Sequence, residues 1–282
     1  MIGSDGGYRL IDSGNQEKIE RFGDYLLRRP SSQAVWRPNS RQAWDDSDAR
    51  FERDRRGTGR WLSTRLPESW TMEFRGFTWT LRPNDHGNVG IFPEQASCWD
   101  WIESCIAAAA GRSDEPLEVL NLFGYTGGST LAAARAGARV VHLDASKTSI
   151  AAARENAEAS GLGDRPIRWI TDDAVKFVRR EFRRDRRYHG IILDPPTYGR
   201  GSSGEVWQIE EGITDLLDDC ARLLADDARF VLFSSHSPGF TPLALANLLE
   251  APADGRVESE EMVIEDLAGR PLPSGAFARW SR

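Results

Sequence analysis

Four short segments of this chain carry side chains whose types and spacing suit the holding of a small ligand and the transfer of a group to an acceptor. The most constrained is Ile191-Ile192-Leu193-Asp194-Pro195-Pro196-Thr197-Tyr198. Two consecutive prolines offer no backbone N–H and continue neither a strand ladder nor a helix interior, so the chain must leave a strand there by a stiff exit. The Asp194 carboxylate and the carbonyls beside the prolines can accept protons from an amine, and the Tyr198 ring offers a face on which a base can stack. Next, Leu120-Asn121-Leu122-Phe123-Gly124-Tyr125-Thr126-Gly127-Gly128 runs from an apolar strand into a glycine-rich turn. In open parallel sheets ligands bind beyond the carboxyl ends of the strands, and glycines there allow close approach and positive φ. The third segment, Val140-Val141-His142-Leu143-Asp144, ends in a carboxylate 20 residues after Gly124. An acid at that place accepts hydrogen bonds from ribose hydroxyls; a helix N-cap is the plain alternative. In the fourth, Ile170-Thr171-Asp172-Asp173-Ala174, one carboxylate can take an adenine amine while the other caps the helix that follows. Asp173 is assigned to the adenine.

These segments can meet only if regular elements carry them to one edge. From residue 93 onward, strand and helix patterns alternate: helix over 94–110, then strands at 117–123, 139–143, 167–170, 188–193 and 229–234. They are separated by helices at 129–136, 147–160, 174–183, 206–224 and 242–249, and strand-like pieces at 257–264 and 276–280 close the chain. Strands separated by helices of this length imply right-handed βαβ units. The expected fold is α/β, a doubly wound, Rossmann-like, mostly parallel seven-stranded sheet spanning 93–282. Residues 1–92 read as a small β-rich N-terminal domain, substrate-side or accessory. It has a strand at 8–12, a hairpin over 70–81 turning at Arg75-Gly76, a short helix over 15–27 and an exposed polar loop over 37–60.

The 282 residues, 40% hydrophobic and 28% charged, suit one large domain and a smaller one. No apolar run reaches the roughly 18–20 residues of a membrane span, and the first residues lack the pattern of a secretory signal. Three cysteines without metal-ligand spacing argue against a disulfide framework or a metal site; the expected compartment is the cytoplasm. A net charge of −7 counts against tight nonspecific nucleic-acid binding by the whole chain, though not against a local basic face.

In this order, LNLFGYTGG, VVHLDAS, ITDDAV and IILDPPTY resemble the class I S-adenosylmethionine-dependent methyltransferases. More narrowly, they are similar to the bacterial group of large-subunit ribosomal RNA methyltransferases that make 5-methylcytosine and 7-methylguanine. The resemblance covers about 93–282 and reaches upstream to Gly90-Ile91-Phe92-Pro93-Glu94-Gln95. With Asp12-Ser13-Gly14-Asn15, Arg21-Phe22-Gly23 and Gly204-Glu205-Val206-Trp207-Gln208 it resembles an uncharacterised branch of that group. It implies S-adenosyl-L-methionine as cofactor. Phe123, Gly124, Tyr125, Thr126 and Gly127 would lie under its methionine part, Asp144 would hold its ribose, and Ala145 and Ser146 would flank its adenine. Asp173, with Asp172 beside it, would read the adenine amine; Phe92 and Gln95 would lie near the cofactor. Asp194, Pro195, Pro196, Thr197 and Tyr198 would face the methyl acceptor, and Asp194 would touch the cofactor as well. The implied partner is ribosomal or another RNA, with no membrane and no metal.

One departure directs the chemistry. Enzymes that methylate C5 of cytosine first add a cysteine thiolate to the base, and their cysteine follows the strand after the Asp-Pro-Pro motif. Here that segment reads Phe233-Ser234-Ser235-His236-Ser237-Pro238. Cys98, Cys105 and Cys220 fall on expected helices and read as small core residues, so a nitrogen acceptor is expected. His236 is either a general base or a loop residue without a role. The run from Arg179 to Arg187 touches phosphates or forms a salt-bridged surface. Trp36, Trp44, Trp61, Trp70 and Trp79 include a base platform or are core and loop anchors. The readings left open are a protein or small-molecule acceptor, a nicotinamide-dependent oxidoreductase (whose usual G-x-G-x-x-G is absent), and a noncatalytic cofactor-binding module.

Overall fold

The computed structural model describes residues 7–39, 42–54, 58–62, 65–109, 115–200, 204, 206–249 and 255–282. By packing, the chain forms two units: Met1–Glu94 with Val263–Ser274, and Gln95–Met262 with Gly275–Arg282. Residues 263–274, left with the C-terminal domain in the sequence reading, group with the first unit.

In the first unit β1 (Tyr8–Gly14), β2 (Glu17–Phe22) and β3 (Tyr25–Pro30) form an antiparallel meander, which replaces the helix expected over 15–27. Asn15 and Gln16 both take positive φ, 53° and 62°, giving the two-residue turn whose twist suits a hairpin. The polar residues that made the segment look like a helix surface are partly buried against one another. Glu20 is fully buried, with Arg29 Nη2 at 2.6 Å and Lys18 Nζ at 3.0 Å, and it accepts the Tyr8 hydroxyl at 2.8 Å. Burial acts to raise its pKa, but Arg29 and Lys18 together hold it below the ordinary carboxylate range.

The segment 37–60 is likewise not an exposed loop. After the single turn α1 (Gln42–Asp45), β4 (Ala49–Arg53) and β5 (Gly59–Leu62) complete a five-stranded sheet in the order β1-β2-β3-β4-β5; residues 40–41 and 55–57 lie outside the described residues. Trp44, Ala49 and Phe51 are buried, and the buried Asp12 carboxylate accepts the Asn39 amide at 3.1 Å and the Trp44 indole N–H at 3.0 Å. Polar composition concealed this, because the few apolar residues are spaced along it rather than clustered. The hairpin β6 (Trp70–Phe74) and β7 (Phe77–Leu81) turns at Arg75-Gly76 as expected. Leu272 joins this unit by packing with Leu10 and Ala34.

The second unit opens with α2 (Ala96–Ala109). It continues β8 (Glu118–Leu122), α3 (Gly128–Arg135), β9 (Arg139–Asp144), α4 (Lys147–Ala159), β10 (Ile167–Thr171), α5 (Ala174–Arg183) and β11 (Gly190–Leu193). There follow β12 (Tyr198–Arg200), β13 (Val206–Gln208), α6 (Ile209–Ala221), β14 (Phe230–Ser235), α7 (Pro242–Leu248), β15 (Arg256–Glu265) and β16 (Pro271–Ser281). The last two strands run from this unit into residues of the first. Seven strands make one sheet, β10-β9-β8-β11-β14-β16-β15. The neighbours from β10 to β14 are parallel, and β16 runs antiparallel to β14.

Alternation along the strands supplies two apolar faces, as helices on both sides of a parallel sheet require. Leu120, Leu122, Ile191, Leu193, Val231 and Phe233 pack with residues of α5 and α6. Val119, Val140, Ile192, Phe230 and Leu232 pack with residues of α2 and α3. The helix expected over 206–224 starts only at Ile209, because 206–208 pair with 198–200. Glu205 lies outside the described residues.

Candidate functional site

The strand order runs outward from β8 in both directions, to β9 and β10 on one side and to β11 and β14 on the other. The crossovers therefore reverse between β8 and β11, which opens a crevice beyond the carboxyl ends of these strands. All four segments end there. Leu122 is in register with both Leu143 and Leu193, so Asp144 and Asp194 emerge on either side of Phe123, on strands two ladder spacings, roughly 10 Å, apart. Thr171 pairs with Asp144 and delivers Asp172 and Asp173 one strand further out.

The turn after β8 is held in an uncommon conformation. Phe123 and Tyr125 have φ of 57° and 47° without being glycine, and Gly127, the N-cap of α3, has φ 99°. Non-glycine residues in this region cost on the order of 1 kcal/mol or more and persist where the surroundings impose them. Those surroundings are explicit. The Tyr125 N–H donates to Asp144 Oδ2 at 2.9 Å, the Asn156 amide donates to the Thr126 carbonyl at 3.0 Å, and the Gly124 N–H donates to the Leu143 carbonyl at 2.9 Å.

Asp144 does not cap α4. That task falls to Ser146, whose Oγ accepts the Ser149 N–H, while its own N–H donates to Asp144 Oδ1 at 2.8 Å. Each Asp144 oxygen accepts one backbone N–H and retains acceptor capacity. Burial raises its pKa, against the two N–H groups that lower it, so a ligand that donates to the carboxylate meets a poorly solvated acceptor.

Asp173 is the N-cap of α5, accepting the Lys176 N–H at 2.9 Å. Asp172 accepts the Asp173 N–H at 2.8 Å and the Arg180 guanidinium at 2.6 Å. Both carboxylates thus carry structural duties, capping foremost, beside any ligand.

Asp194 follows β11. Gln95 Nε2 donates at 3.0 Å to Asp194 Oδ2 and at 3.0 Å to Ser234 Oγ, so Gln95 holds the carboxylate. The other oxygen, Oδ1, is buried without a hydrogen bond among the described residues, and His236 Nδ1 lies 3.6 Å from it. Pro195 is buried while Pro196, Thr197 and Tyr198 are exposed. The Pro196 carbonyl accepts the Trp207 indole N–H at 2.7 Å, and Thr197 Oγ1 lies 2.7 Å from Ser237 Oγ. Trp207 also meets the Phe123 ring, with centroids 5.4 Å apart. Trp207, Asn156, Gln95 in its clamping role, and the serines of β14 complete the site. Only the tryptophan beside the expected helix start hinted at this, since no local pattern ties it to Pro196. Phe92 falls in the first unit, three residues before Gln95 in the chain.

Cys98 and Cys220 are buried and Cys105 partly so. Burial pushes the Cys98 and Cys105 thiols up to about 12 and the Cys220 thiol up as well; none is a thiolate nucleophile. The Arg179-to-Arg187 run is largely paired with acids: Arg179 with Asp219, Arg180 with Asp172, Arg184 and Arg186 with Glu181, and Arg187 with Asp185. It reads as a salt-bridged surface. The indoles of Trp36, Trp44, Trp61, Trp70 and Trp79 donate within the first unit to Ser13, Asp12, Asn84, Phe22 and Phe74, as anchors do. Among the described residues no group of acids, cysteines and histidines is arranged to hold a metal, and no helix is long and apolar enough to cross a membrane.

A family profile described as S-adenosylmethionine-dependent methyltransferase matches residues 28–227. A solved SAM-dependent methyltransferase from Agrobacterium tumefaciens is 40% identical, with a TM-score of 0.90, covering 99% of this chain and 91% of its own. Among curated relatives, ribosomal RNA large subunit methyltransferase I of Aeromonas salmonicida is 37% identical over 96 residues, 34% of this chain and 24% of that protein. Ribosomal RNA large subunit methyltransferase K of Neisseria meningitidis serogroup B is 28% identical over 156 residues, 55% of this chain and 40% of that protein. The chain therefore matches well under half the length of these curated relatives.

Proposed function

This chain belongs to the family of S-adenosylmethionine-dependent methyltransferases, and on that premise we propose that it transfers a methyl group directly to a nitrogen of an RNA base, ribosomal RNA foremost, at Asp194-Pro195-Pro196-Thr197. The donor set fits the family's cofactor. Asp144 is a desolvated acceptor for a ribose diol. The orphaned Oδ1 of Asp194 leaves a negative oxygen for a cationic or N–H-bearing group. S-Adenosylmethionine, when bound, supplies a methyl carbon on a positively charged sulfur, a good leaving group.

What remains for the protein is alignment in a site that excludes water, which is worth up to roughly 7–11 kcal/mol in favourable cases. The turn 123–127 and Asp144 would fix the donor end. Asp194, its second oxygen held by Gln95, would accept an N–H of the acceptor and stabilise the charge growing on that nitrogen. The Pro195 carbonyl would accept beside it. The Pro196 carbonyl is already committed to Trp207. A base within folded RNA would have to be flipped out, and the exposed Tyr198 ring is placed to stack on it.

The observation that carries the nitrogen assignment is the buried, unsatisfied Asp194 Oδ1, on a site whose β14 end has serines and a histidine where C5 chemistry needs a thiolate. RNA as the acceptor class rests on the names of the curated relatives; the paired arginine run does not add to it. The test is transfer of labelled methyl groups into fractionated RNA, protein and metabolite pools from a deletion strain. Label in RNA that is lost with Asp194→Ala, with S-adenosylhomocysteine binding retained, is the expected result. Label confined to protein or small molecules overturns the RNA assignment. No label in any pool despite cofactor binding favours a noncatalytic module.

A further inference from the structure

His142 sits in the middle of β9, fully buried, directly beneath the turn that the proposed function assigns to the cofactor. In the parallel register it pairs with Asn121 of β8 on one side and Trp169 of β10 on the other. It is a titratable side chain in a row that continues as Ile192 and Leu232. Its ring lies against Gly124: a Cβ at that glycine would fall 2.4 Å from the imidazole Cε1 and 2.6 Å from Nδ1. On the other side the Trp169 ring is 4.9 Å away, centroid to centroid.

The polar groups around it form a short chain. The Asn121 amide donates to Thr130 Oγ1 at 2.8 Å, and Thr130 Oγ1 lies 2.8 Å from His142 Nδ1. A hydroxyl has one hydrogen. Its oxygen has two lone pairs, so with Asn121 donating to one of them Thr130 either gives its hydrogen to Nδ1, which places the ring hydrogen on Nε2, or accepts a hydrogen from Nδ1. Nε2 is buried and lacks a well-formed hydrogen bond among the described residues, although the Tyr125 backbone acts on the ring as an acceptor. This nitrogen lies beneath a turn with two left-handed non-glycine residues, one of them Tyr125 itself.

We propose that His142 is a positioning residue for the cofactor turn: held by Asn121 and Thr130 as the neutral Nε2–H tautomer, it sets the height of Gly124 and steadies the Tyr125 peptide, so that the Tyr125 N–H keeps its grip on Asp144 when cofactor binds. Burial keeps the imidazole uncharged down to about 3, so the donor and acceptor ends stay distinct across working pH. The inference deepens the methyltransferase reading and rests on the cofactor placement within it, not on the acceptor.

The test is calorimetric titration of the full chain with S-adenosylhomocysteine, together with 15N spectra of its histidines. His142→Phe keeps a planar ring against Gly124 but loses both nitrogens, and Thr130→Val removes only the hydroxyl. Each is expected to weaken binding roughly tenfold, as loss of one ordering hydrogen bond would. His142→Gln, which restores a donor, should recover most of the loss, and the wild-type ring should show the Nε2–H tautomer with and without ligand. Binding by H142F and T130V within twofold of wild type overturns the proposal while leaving the family's cofactor in place. So does equal weakening in H142F and H142Q, which would make the effect one of ring shape, or an Nδ1–H tautomer. If H142F does not fold, T130V and the tautomer decide. Failure of the wild-type chain to bind at all removes the cofactor placement itself, and this inference with it.

Discussion

At the scale of single residues, the site is organised by which atoms are satisfied and which are not. Asp144 and Asp194 both end buried strands, yet Asp144 has each oxygen occupied by a backbone N–H, while Asp194 has one oxygen clamped by Gln95 and one that accepts no hydrogen bond among the described residues, with His236 Nδ1 3.6 Å away. That difference suits Asp144 to the proposed grip on the ribose and Asp194 to the proposed contact with the acceptor. His142 gives a prediction that needs no substrate. Its folded pKa of about 3 lies below the ordinary 6.5, so at low pH the unfolded chain binds a proton that the folded chain refuses. The stabilisation is complete above about pH 6.5 and is lost as pH falls toward 3. Relative to His142→Phe, wild-type unfolding free energy should drop by about 1.4 kcal/mol per pH unit through that window. Denaturant melts at a series of pH values check this, and parallel curves for the two proteins would mean the ring is not held neutral.

At the scale of elements, turns decided what periodicity left ambiguous. The segment after Gly14 has enough alternating charge to pass for a short helix, but Asn15 and Gln16 at positive φ commit it to a hairpin. Asparagine tolerates this region and glutamine does so less well. Gln16→Gly should therefore stabilise the first unit by about 0.5–1 kcal/mol, seen as a higher urea midpoint; a lower midpoint would mean that Gln16 makes a compensating contact. In the second unit the stiff exit at Pro195-Pro196 is fastened by neighbours distant in sequence. Trp207 reaches the Pro196 carbonyl, and the Ile209 N–H, at the start of α6, donates to the Thr197 carbonyl at 3.1 Å. The proline pair supplies rigidity and the short β12–β13 ladder supplies direction, and this is why 206–208 are strand and not the first turn of α6.

At the scale of the whole molecule, the chain divides its polar burial between two tasks. In the second unit, four buried polar atoms lack a hydrogen bond among the described residues; those of Asp194 and His142 lie at or beneath the carboxyl edge of the sheet, and those of Arg229 and Trp280 lie toward its other edge. The first unit satisfies its buried charges: Glu20 is met by Arg29, Lys18 and Tyr8, and Arg29 also donates to the Gly87 carbonyl at 3.0 Å. Removing one partner from such a cluster leaves a buried charge uncompensated, so Arg29→Met should destabilise the first unit by about 3–5 kcal/mol, much of it regained on adding Glu20→Gln. Thermal or denaturant melts followed by the first unit's tryptophans would show this, and a loss under 1 kcal/mol would mean that Glu20 is solvated in solution.

Most of the second unit, and the positions of the four segments, were legible in residue order, although 263–274 group with the first unit. Strand and helix periods differ, buried parallel strands are continuous apolar runs, and glycines and prolines mark where they end. Those signals are local, so Asp144 and Asp194 could be placed at strand ends from residue order alone. What the side chains do there depends on contacts made in three dimensions. That Ser146 and not Asp144 caps α4, that Gln95 clamps Asp194, that Trp207 binds the Pro196 carbonyl, and that His142 lies under Gly124 all depend on hydrogen bonds between residues on different elements. The same holds for the first unit, where the strands of 15–27 and 37–60 are stabilised by a buried ion pair and by Asp12's contacts with Asn39 and Trp44. Such pairings leave no periodic trace along the chain, because the partners share a location in space and not an interval in sequence.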